Sequence, residues 1–116
     1  MGGGGAGGGG AFSNTLGARN KISVNSKADA LSLTKSLPQS IQRSAKNFFK
    51  GGSSKYDSFS VEQKSNGNYM IKMEKPGDVP GSKAIYYKEV DSDGNTIRVY
   101  KETYGPDGKL IHTKEK

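Results

Sequence analysis

Three short turn dipeptides restrict the fold of this chain more than any other feature of its sequence. Asn66-Gly67, Asp93-Gly94 and Asp107-Gly108 each separate two segments in which apolar and polar residues alternate. The first residue of such a pair and its glycine both tolerate positive φ, as tight hairpin turns require. Alternation with a period of two is typical of strands that bury one face. The second half of the chain is therefore predicted to form antiparallel hairpins.

The alternating segments predict about five strands. Their apolar positions are Phe59 and Val61; Tyr69, Ile71 and Met73; Ile85 and Tyr87; Ile97 and Val99; and Leu110 with His112, or Ile111 with Thr113. A longer gap at residues 76–82 reads PGDVPGS. Its prolines and glycines predict a loop that crosses one end of the sheet.

An amphipathic helix is predicted upstream of the strands, in SLPQSIQRSAKNFFKGG. Pro38 suits a first helical turn, and Gly51 with Gly52 provides a C-terminal stop. One apolar stripe has helical spacing: Ile41, Ala45, Phe48 and Phe49. Three basic residues face away from it: Arg43, Lys46 and Lys50. The predicted fold is α+β, with an N-terminal helix packed on a curved antiparallel sheet whose other face is free for a ligand.

The segments before this helix are expected to add little to the core. Residues 1–10 are nearly all glycine and predict a flexible segment with nothing to bury. Residues 11–36 are rich in Ser, Asn, Ala and Lys, and they predict a loosely ordered basic lead-in with one short helix around residues 29–35. The folded domain is thus predicted to span residues 37–116.

Positive charge is concentrated upstream in this chain. The net charge is +7, and residues 11–54 contain seven basic residues but only one acidic residue, whereas eleven basic residues face ten acidic ones from Lys55 onward. This balance predicts an anionic partner, with a nucleic acid attracted mainly by the upstream segment and the helix. No run of about 18 apolar residues is present, so no membrane span is predicted.

The side chains available exclude several kinds of chemistry. With one histidine, His112, and no cysteine, the chain cannot supply the ligands of a histidine-rich metal nuclease. No phosphate-binding G-x-x-x-x-G-K-[ST] sequence is present, and a single histidine gives no support for a Ser–His–Asp triad. Neither a metal nor a cofactor is expected.

RNA cleavage by internal transesterification demands less of a protein. The substrate brings its own nucleophile, the 2′-hydroxyl, and the protein supplies a base, an acid and cations for the charge on the phosphorane. An imidazole such as that of His112 can take either proton role near neutral pH. Adjacent predicted strands offer basic and hydroxyl side chains around it: Lys83, Lys88, Arg98, Lys101, Thr103 and several tyrosines.

The run PGSKAIYYKEVDSDGNTIRVYKETYGPDGKLIHTKEK resembles the C-terminal end of toxin domains of bacterial polymorphic toxins, of the contact-dependent inhibition type. The layout over about residues 55–116 is similar to that of the barnase, colicin and RelE-like ribonucleases. The resemblance implies a metal-independent endoribonuclease, often specific for transfer RNA, that an acidic immunity protein neutralises in the producing cell. It also implies delivery by secretion or from the cell surface, as the end of a larger toxin, and action in the target-cell cytoplasm.

The resemblance also implies roles for particular residues. His112 corresponds to the acid/base histidine of barnase-like enzymes, and Arg98 to their phosphate-binding arginine. Four further residues would stabilise or position the phosphate: Lys83, Lys101, Thr103 and Tyr104. The usual glutamate base has no secure counterpart, and Glu89 and Glu102 are candidates by strand position only.

Simple alternation argues against part of this assignment. It places His112 beside Leu110 on the core face unless a bulge intervenes. Lys101 and Thr103 share the parity of the apolar positions on their strand, whereas Arg98 has the opposite parity and is expected to face solvent. Two other functions therefore stay open, a nucleic-acid-binding accessory without chemistry and a protein-interaction module.

Overall fold

The computed structural model describes residues 21–116, and the predictions for residues 1–20 lie outside this range. The elements are β1 Lys21–Val24, α1 Lys27–Leu33, a 3₁₀ turn Thr34–Ser36, α2 Gln39–Gly51, β2 Ser58–Gln63, β3 Tyr69–Pro76, β4 Lys83–Val90, β5 Thr96–Tyr104 and β6 Leu110–Glu115. The six strands form one open antiparallel sheet in chain order. The fold is α+β, with two helices packed on the sheet. Neither helix within residues 21–116 has the length and apolar character needed to cross a membrane.

The hairpins predicted from the turn dipeptides are confirmed. Gly67, Gly94 and Gly108 have φ of 90°, 89° and 81°. These are the glycines of the three predicted turn dipeptides, and each turn joins two strands that pair antiparallel. All five predicted strands are present as β2 to β6. Local turn chemistry therefore determines most of the sheet.

The prediction that the amphipathic helix stands at the N-terminus of the fold is wrong, because β1 and α1 precede it. Val24 of β1 pairs with Phe59 of β2 and adds a sixth strand. The Ser26 hydroxyl caps α1 by accepting a hydrogen bond from the Asp29 amide at 3.1 Å. Ala30 and Leu33 are buried. The short helix predicted around residues 29–35 is thus present as α1, whereas β1 and the contribution of residues 21–36 to the core were not predicted.

Helix α2 has the predicted apolar stripe, and its four members are buried: Ile41, Ala45, Phe48 and Phe49. The ring of Phe49 meets that of Phe59 edge to face, with centroids 5.6 Å apart. The sheet residues beneath the helices are also buried: Phe59, Val61, Ile71 and Met73. We call this side of the sheet the helix face and the other side the open face.

The β4–β5 turn is fastened to the first turns of α2. The Ser40 hydroxyl donates a hydrogen bond to the Ser92 carbonyl at 2.6 Å, and the Ser44 hydroxyl donates one to the Gly94 carbonyl at 3.0 Å. These bonds join segments about 50 residues apart. The turn therefore helps to fix the helix layer on the sheet.

Candidate polyanion-binding cleft

Strand register divides the six predicted site residues between the two faces of the sheet. Residues directly opposite each other on paired strands share a face. Lys83 pairs with Tyr104, and Arg98 pairs with Glu89. By this alternation Lys83, Arg98 and Tyr104 all lie on the open face.

The other three predicted residues lie on the helix face. Lys101 pairs with Tyr86, whose ring packs on that of Phe48 in α2 with centroids 4.9 Å apart. Thr103 has the same parity as Lys101, and it pairs with His112 of β6. The structure therefore brings Lys101, Thr103 and His112 together and separates them from Lys83, Arg98 and Tyr104.

A β-bulge determines the orientation of His112. Tyr104 pairs with Leu110 and Thr103 pairs with His112, so Ile111 is an extra residue in β6. The extra residue places Leu110 and His112 on opposite faces, which simple alternation had not predicted. His112 is exposed because β6 is an edge strand whose residues are all exposed.

A cleft of about 350 Å³ opens on the helix face beside Thr103. One wall is formed by residues of the 76–82 loop, and the other by Pro106 and Ile111. The two walls approach each other closely, since a Cβ atom added at Gly81 would lie 3.2 Å from the Pro106 Cβ. The loop that the sequence placed at a sheet end thus lines the cleft.

Three lysines line this cleft: Lys55, Lys75 and Lys101. Asp78 is the one carboxylate among the lining residues within the described part of the chain. Residues 21–116 contain two ion pairs, Lys64–Glu89 and Arg98–Glu115, and neither includes a lysine of the cleft. The cleft therefore carries a net positive charge.

Lys101 is close enough to three other lysines for their charges to affect its pKa. Burial lowers its pKa, and the neighbouring charges of Lys75, Lys116 and Lys114 lower it further. Like charges disfavour the protonated ammonium, whereas an anionic ligand would favour it. A polyanion bound beside Lys75, Lys101, Lys114 and Lys116 would therefore relieve the repulsion among them.

Two tyrosines border the same cluster. The Lys75 Nζ lies 5.2 Å from the centroid of the Tyr56 ring, and the Lys116 Nζ lies 5.6 Å from that of Tyr86. The two rings are stacked at 6.5 Å, and burial raises the pKa of Tyr56. Cation–π contacts hold these ammonium groups in place without neutralising them.

On the open face, the predicted phosphate ligand Arg98 already has an anionic partner. Its Nε donates a hydrogen bond to the Glu115 Oε1 at 3.0 Å, and its Nη2 bonds to the Oε2 of the same carboxylate. These hydrogen bonds are the largest cause of a raised pKa at Arg98 and a lowered pKa at Glu115. The guanidinium also lies over the Tyr100 ring, 4.0 Å from its centroid.

Replacing Arg98 with Gln is therefore expected to lower stability slightly and to leave polyanion binding at the cleft nearly unchanged. The exposed Arg98–Glu115 ion pair contributes little to the free energy of unfolding, because solvent screens it. Since Arg98 and Lys101 lie on opposite faces of the sheet, any loss of affinity for an RNA probe should be far smaller than the loss caused by removing Lys101. Urea unfolding and an RNA-binding assay on both variants check this. A larger loss of affinity in R98Q would contradict the assignment of the site to the helix face.

The open-face tyrosines contact one another and their neighbours in the sheet. Tyr87 and Tyr100 stack with centroids 4.5 Å apart, and the Tyr104 hydroxyl donates a hydrogen bond to Glu102 at 2.7 Å. Burial, together with hydrogen bonds to Glu102 and Tyr104, raises the pKa of Tyr87. The Lys83 Nζ lies 5.6 Å from the Tyr104 ring centroid. These tyrosines therefore act first as a packed layer of the sheet.

Neither candidate glutamate base shares a face with His112. Glu89 accepts hydrogen bonds from Asn68 at 3.1 Å and Lys64 at 3.0 Å, and the Asn68 bond is the main reason that its pKa is lowered. Glu102 accepts from Tyr104 on the open face. The helix face thus offers His112 no glutamate from either position.

Comparison with known proteins gives no family for this chain. No protein-family model, no curated protein and no solved structure matches it. Within residues 21–116, no group of three or more His, Asp or Glu side chains is placed to hold a metal ion. The function is therefore argued from the side chains on the two faces of the sheet.

Proposed function

We propose that this chain is a metal-independent endoribonuclease. The observation that carries the proposal is the position of His112, which is exposed on the helix face opposite Thr103, a residue that lines the lysine-rich cleft. An imidazole that reaches water beside a cleft of net positive charge has the two properties that metal-free cleavage of a phosphodiester needs. RNA is the substrate because it provides the 2′-hydroxyl nucleophile.

In this proposal each helix-face residue has one task. Lys101 binds the phosphate next to the attacking 2′-hydroxyl, and Lys75 adds charge for the dianionic phosphorane. The Thr103 hydroxyl positions a phosphate oxygen. His112 removes the proton from the 2′-hydroxyl while water protonates the 5′-oxygen as its bond to phosphorus breaks, or His112 gives the proton to the 5′-oxygen while water accepts the one from the 2′-hydroxyl. Preorganised cations at this point stabilise charge that grows in the transition state.

The open-face residues are not needed at the reacting phosphate. Lys83 and Tyr104 contact each other, and Arg98 is paired with Glu115. The proposal therefore centres the reaction on the helix face and leaves Lys83, Arg98 and Tyr104 to contacts elsewhere on the RNA.

The setting of the proposal follows the resemblance to polymorphic toxins. A helical layer before a curved antiparallel sheet would make the domain barnase-like, with transfer RNA as the favoured substrate. The net positive charge of the cleft suits an acidic immunity protein, which would block the site by charge complementarity. Delivery as the end of a larger toxin, and action in the cytoplasm of a competing bacterium, complete the proposal.

Incubation of the protein with total RNA in EDTA tests the activity. Discrete fragments that end in 2′,3′-cyclic phosphate are the expected result, because the attacking oxygen belongs to the RNA itself. Intact RNA with retarded mobility in a gel would instead indicate an RNA-binding protein without ribonuclease activity. RNA that is neither cut nor bound would contradict both functions.

A second candidate function is RNA binding without chemistry. Within residues 21–116 no side chain hydrogen-bonds to the His112 imidazole. Catalytic histidines are commonly oriented by a second group, so this arrangement favours a role for the cleft in binding alone. The same RNA incubation separates the two functions.

Replacing Lys101 with Gln should weaken RNA binding without destabilising the fold. Burial and three neighbouring lysines lower the Lys101 pKa, so its charged form is disfavoured in the folded state. Removing that charge should raise the free energy of unfolding by a few tenths of a kcal/mol after solvent screening. The slope of log K against log salt should fall by about 1. Lower stability with unchanged RNA affinity would show that Lys101 has a structural role instead.

A further inference from the structure

A second basic surface lies in the helix layer, apart from the cleft. A groove of about 570 Å³ runs between α1, the 3₁₀ turn and α2. Four exposed cations line it: Lys35, Arg43, Lys46 and Lys50. No carboxylate is among the lining residues of this groove in the described part of the chain. We call this surface the helix groove.

The cations of the helix groove form a row. Arg43, Lys46 and Lys50 are three and four residues apart, so they share one side of α2 over about 10 Å of helix. The opposite side of α2 is the buried apolar stripe, which fixes the direction of the row relative to the sheet. A row of like charges without counter-charges matches the regular charges of a phosphate backbone.

Internal hydrogen bonds shape the groove but leave the row free. The Gln42 amide donates to the Leu37 carbonyl at 2.9 Å and connects α2 to the segment after α1. The Lys27 ammonium donates to the Gly52 carbonyl at 2.7 Å and to the Lys50 carbonyl at 3.3 Å. Lys27 thus stabilises the C-terminal end of α2, whereas neither ion pair within residues 21–116 includes Arg43, Lys46 or Lys50.

The helix groove and the cleft are close along the chain. Lys50 lines the groove and Lys55 lines the cleft. Five residues span at most about 18 Å even when fully extended. A single RNA strand that fills the cleft therefore reaches the groove within a few nucleotides.

We propose that the helix groove is a second phosphate-binding surface for the same RNA. The substrate is then an RNA long enough to continue from the cleft past residues 50–55 and along α2. The assignment of RNA rests on the proposed function, but the binding claim does not require cleavage. The lining favours a phosphate backbone, because it contains four cations and no carboxylate within the described residues.

The test compares two double variants of equal net charge. Arg43→Gln with Lys46→Gln removes two cations of the groove, and Lys64→Gln with Lys109→Gln removes two cations that line neither the groove nor the cleft. Both are made in the His112→Ala background so that the RNA stays intact. Binding of a labelled RNA hairpin is measured over a series of salt concentrations, with thermal unfolding as the check on folding.

The groove variant is expected to lower the slope of log K against log salt by about 1 to 2, while the control keeps the slope of its parent. Equal slopes for both variants would overturn the second surface, even if the parent protein cleaves RNA. If the slope is lowered in the groove variant but the parent protein never cleaves RNA, the second phosphate-binding surface is supported and the ribonuclease proposal is rejected. A polyglutamate peptide serves as a probe for an acidic protein. If it binds tightly and the groove variant loses this binding without any change in RNA binding, the ligand of the groove would be an acidic protein and not RNA.

Discussion

Replacing His112 with Ala is expected to lower the rate of RNA cleavage by about 10² or more, the scale of one positioned acid or base group. The exposed ring contributes little to the core, so the variant should unfold at the same temperature as the parent protein. Its RNA affinity should also be kept, because the cleft lysines supply the attraction for phosphate. The measurement is single-turnover cleavage in EDTA with enzyme in excess.

Thr113→Ala is the matched control for this experiment. Thr113 is the next residue of the same exposed strand, and it pairs with Glu102 on the open face. It therefore tests whether any change in β6 disturbs cleavage. Equal activity in H112A and T113A, both near that of the parent, would remove His112 from the mechanism. Loss in both would assign the effect to the strand instead of the imidazole.

The parts of the fold that could be predicted are those with local signals. The Asn-Gly and Asp-Gly turns and the stripe of α2 are determined by residues next to each other in the chain. Strand β1, KISV, alternates polar and apolar residues, but it has only four residues and pairs with β2 far along the chain, so the local pattern is too short to predict it. Helix α1 has seven residues, which are too few to be stable alone. The sequence nevertheless predicted a short helix around residues 29–35, whereas strand β1 and the burial of Ala30 and Leu33 depend on packing against distant residues and were not predicted.

The site could be predicted only in part, since bulges change the parity of a strand. Alternation correctly separated Arg98 from Lys101 and Thr103, and Arg98 is exposed. It placed His112 beside Leu110, whereas the extra residue Ile111 puts them on opposite faces. Lys75, Lys114 and Lys116 are not sequence neighbours of Lys101. A count of charges along the chain therefore could not predict that these lysines form a cluster.

The distribution of charge over the two faces supports a ligand on the helix face. On the open face, Arg98 is paired with Glu115, and burial and the charge of Lys21 lower the pKa of Lys72 while Glu62 and Glu74 partly offset them. At Lys101, burial first and then the charges of Lys75, Lys116 and Lys114 lower the pKa, and no carboxylate is among the causes. Proteins retain this kind of local conflict mainly where function requires it.

Replacing Gly94 with Ala is expected to be the most destabilising of the substitutions at the three hairpin-turn glycines. Gly94 has φ of 89°, a left-handed conformation that costs an alanine about 1 kcal/mol or more. A Cβ atom there would also overlap the carbonyl oxygen of Ser40, in the first turn of α2. The turn would have to leave the helix and break the Ser40 and Ser44 hydrogen bonds. We expect a total loss of about 3 kcal/mol.

Gly67→Ala separates the two causes of that loss. Gly67 has φ of 90°, nearly the same as Gly94, but a Cβ atom there would meet nothing within 4 Å. Its substitution should therefore cost only the backbone term of about 1 kcal/mol. Urea unfolding of both variants measures the difference in the free energy of unfolding. In a thermal melt, the same difference corresponds to roughly 8–16 °C in Tm for a domain of this size. Equal losses in the free energy of unfolding at the two glycines would mean that the contact between the β4–β5 turn and α2 contributes nothing to the cost of the Gly94 substitution. The backbone conformation alone would then determine that cost.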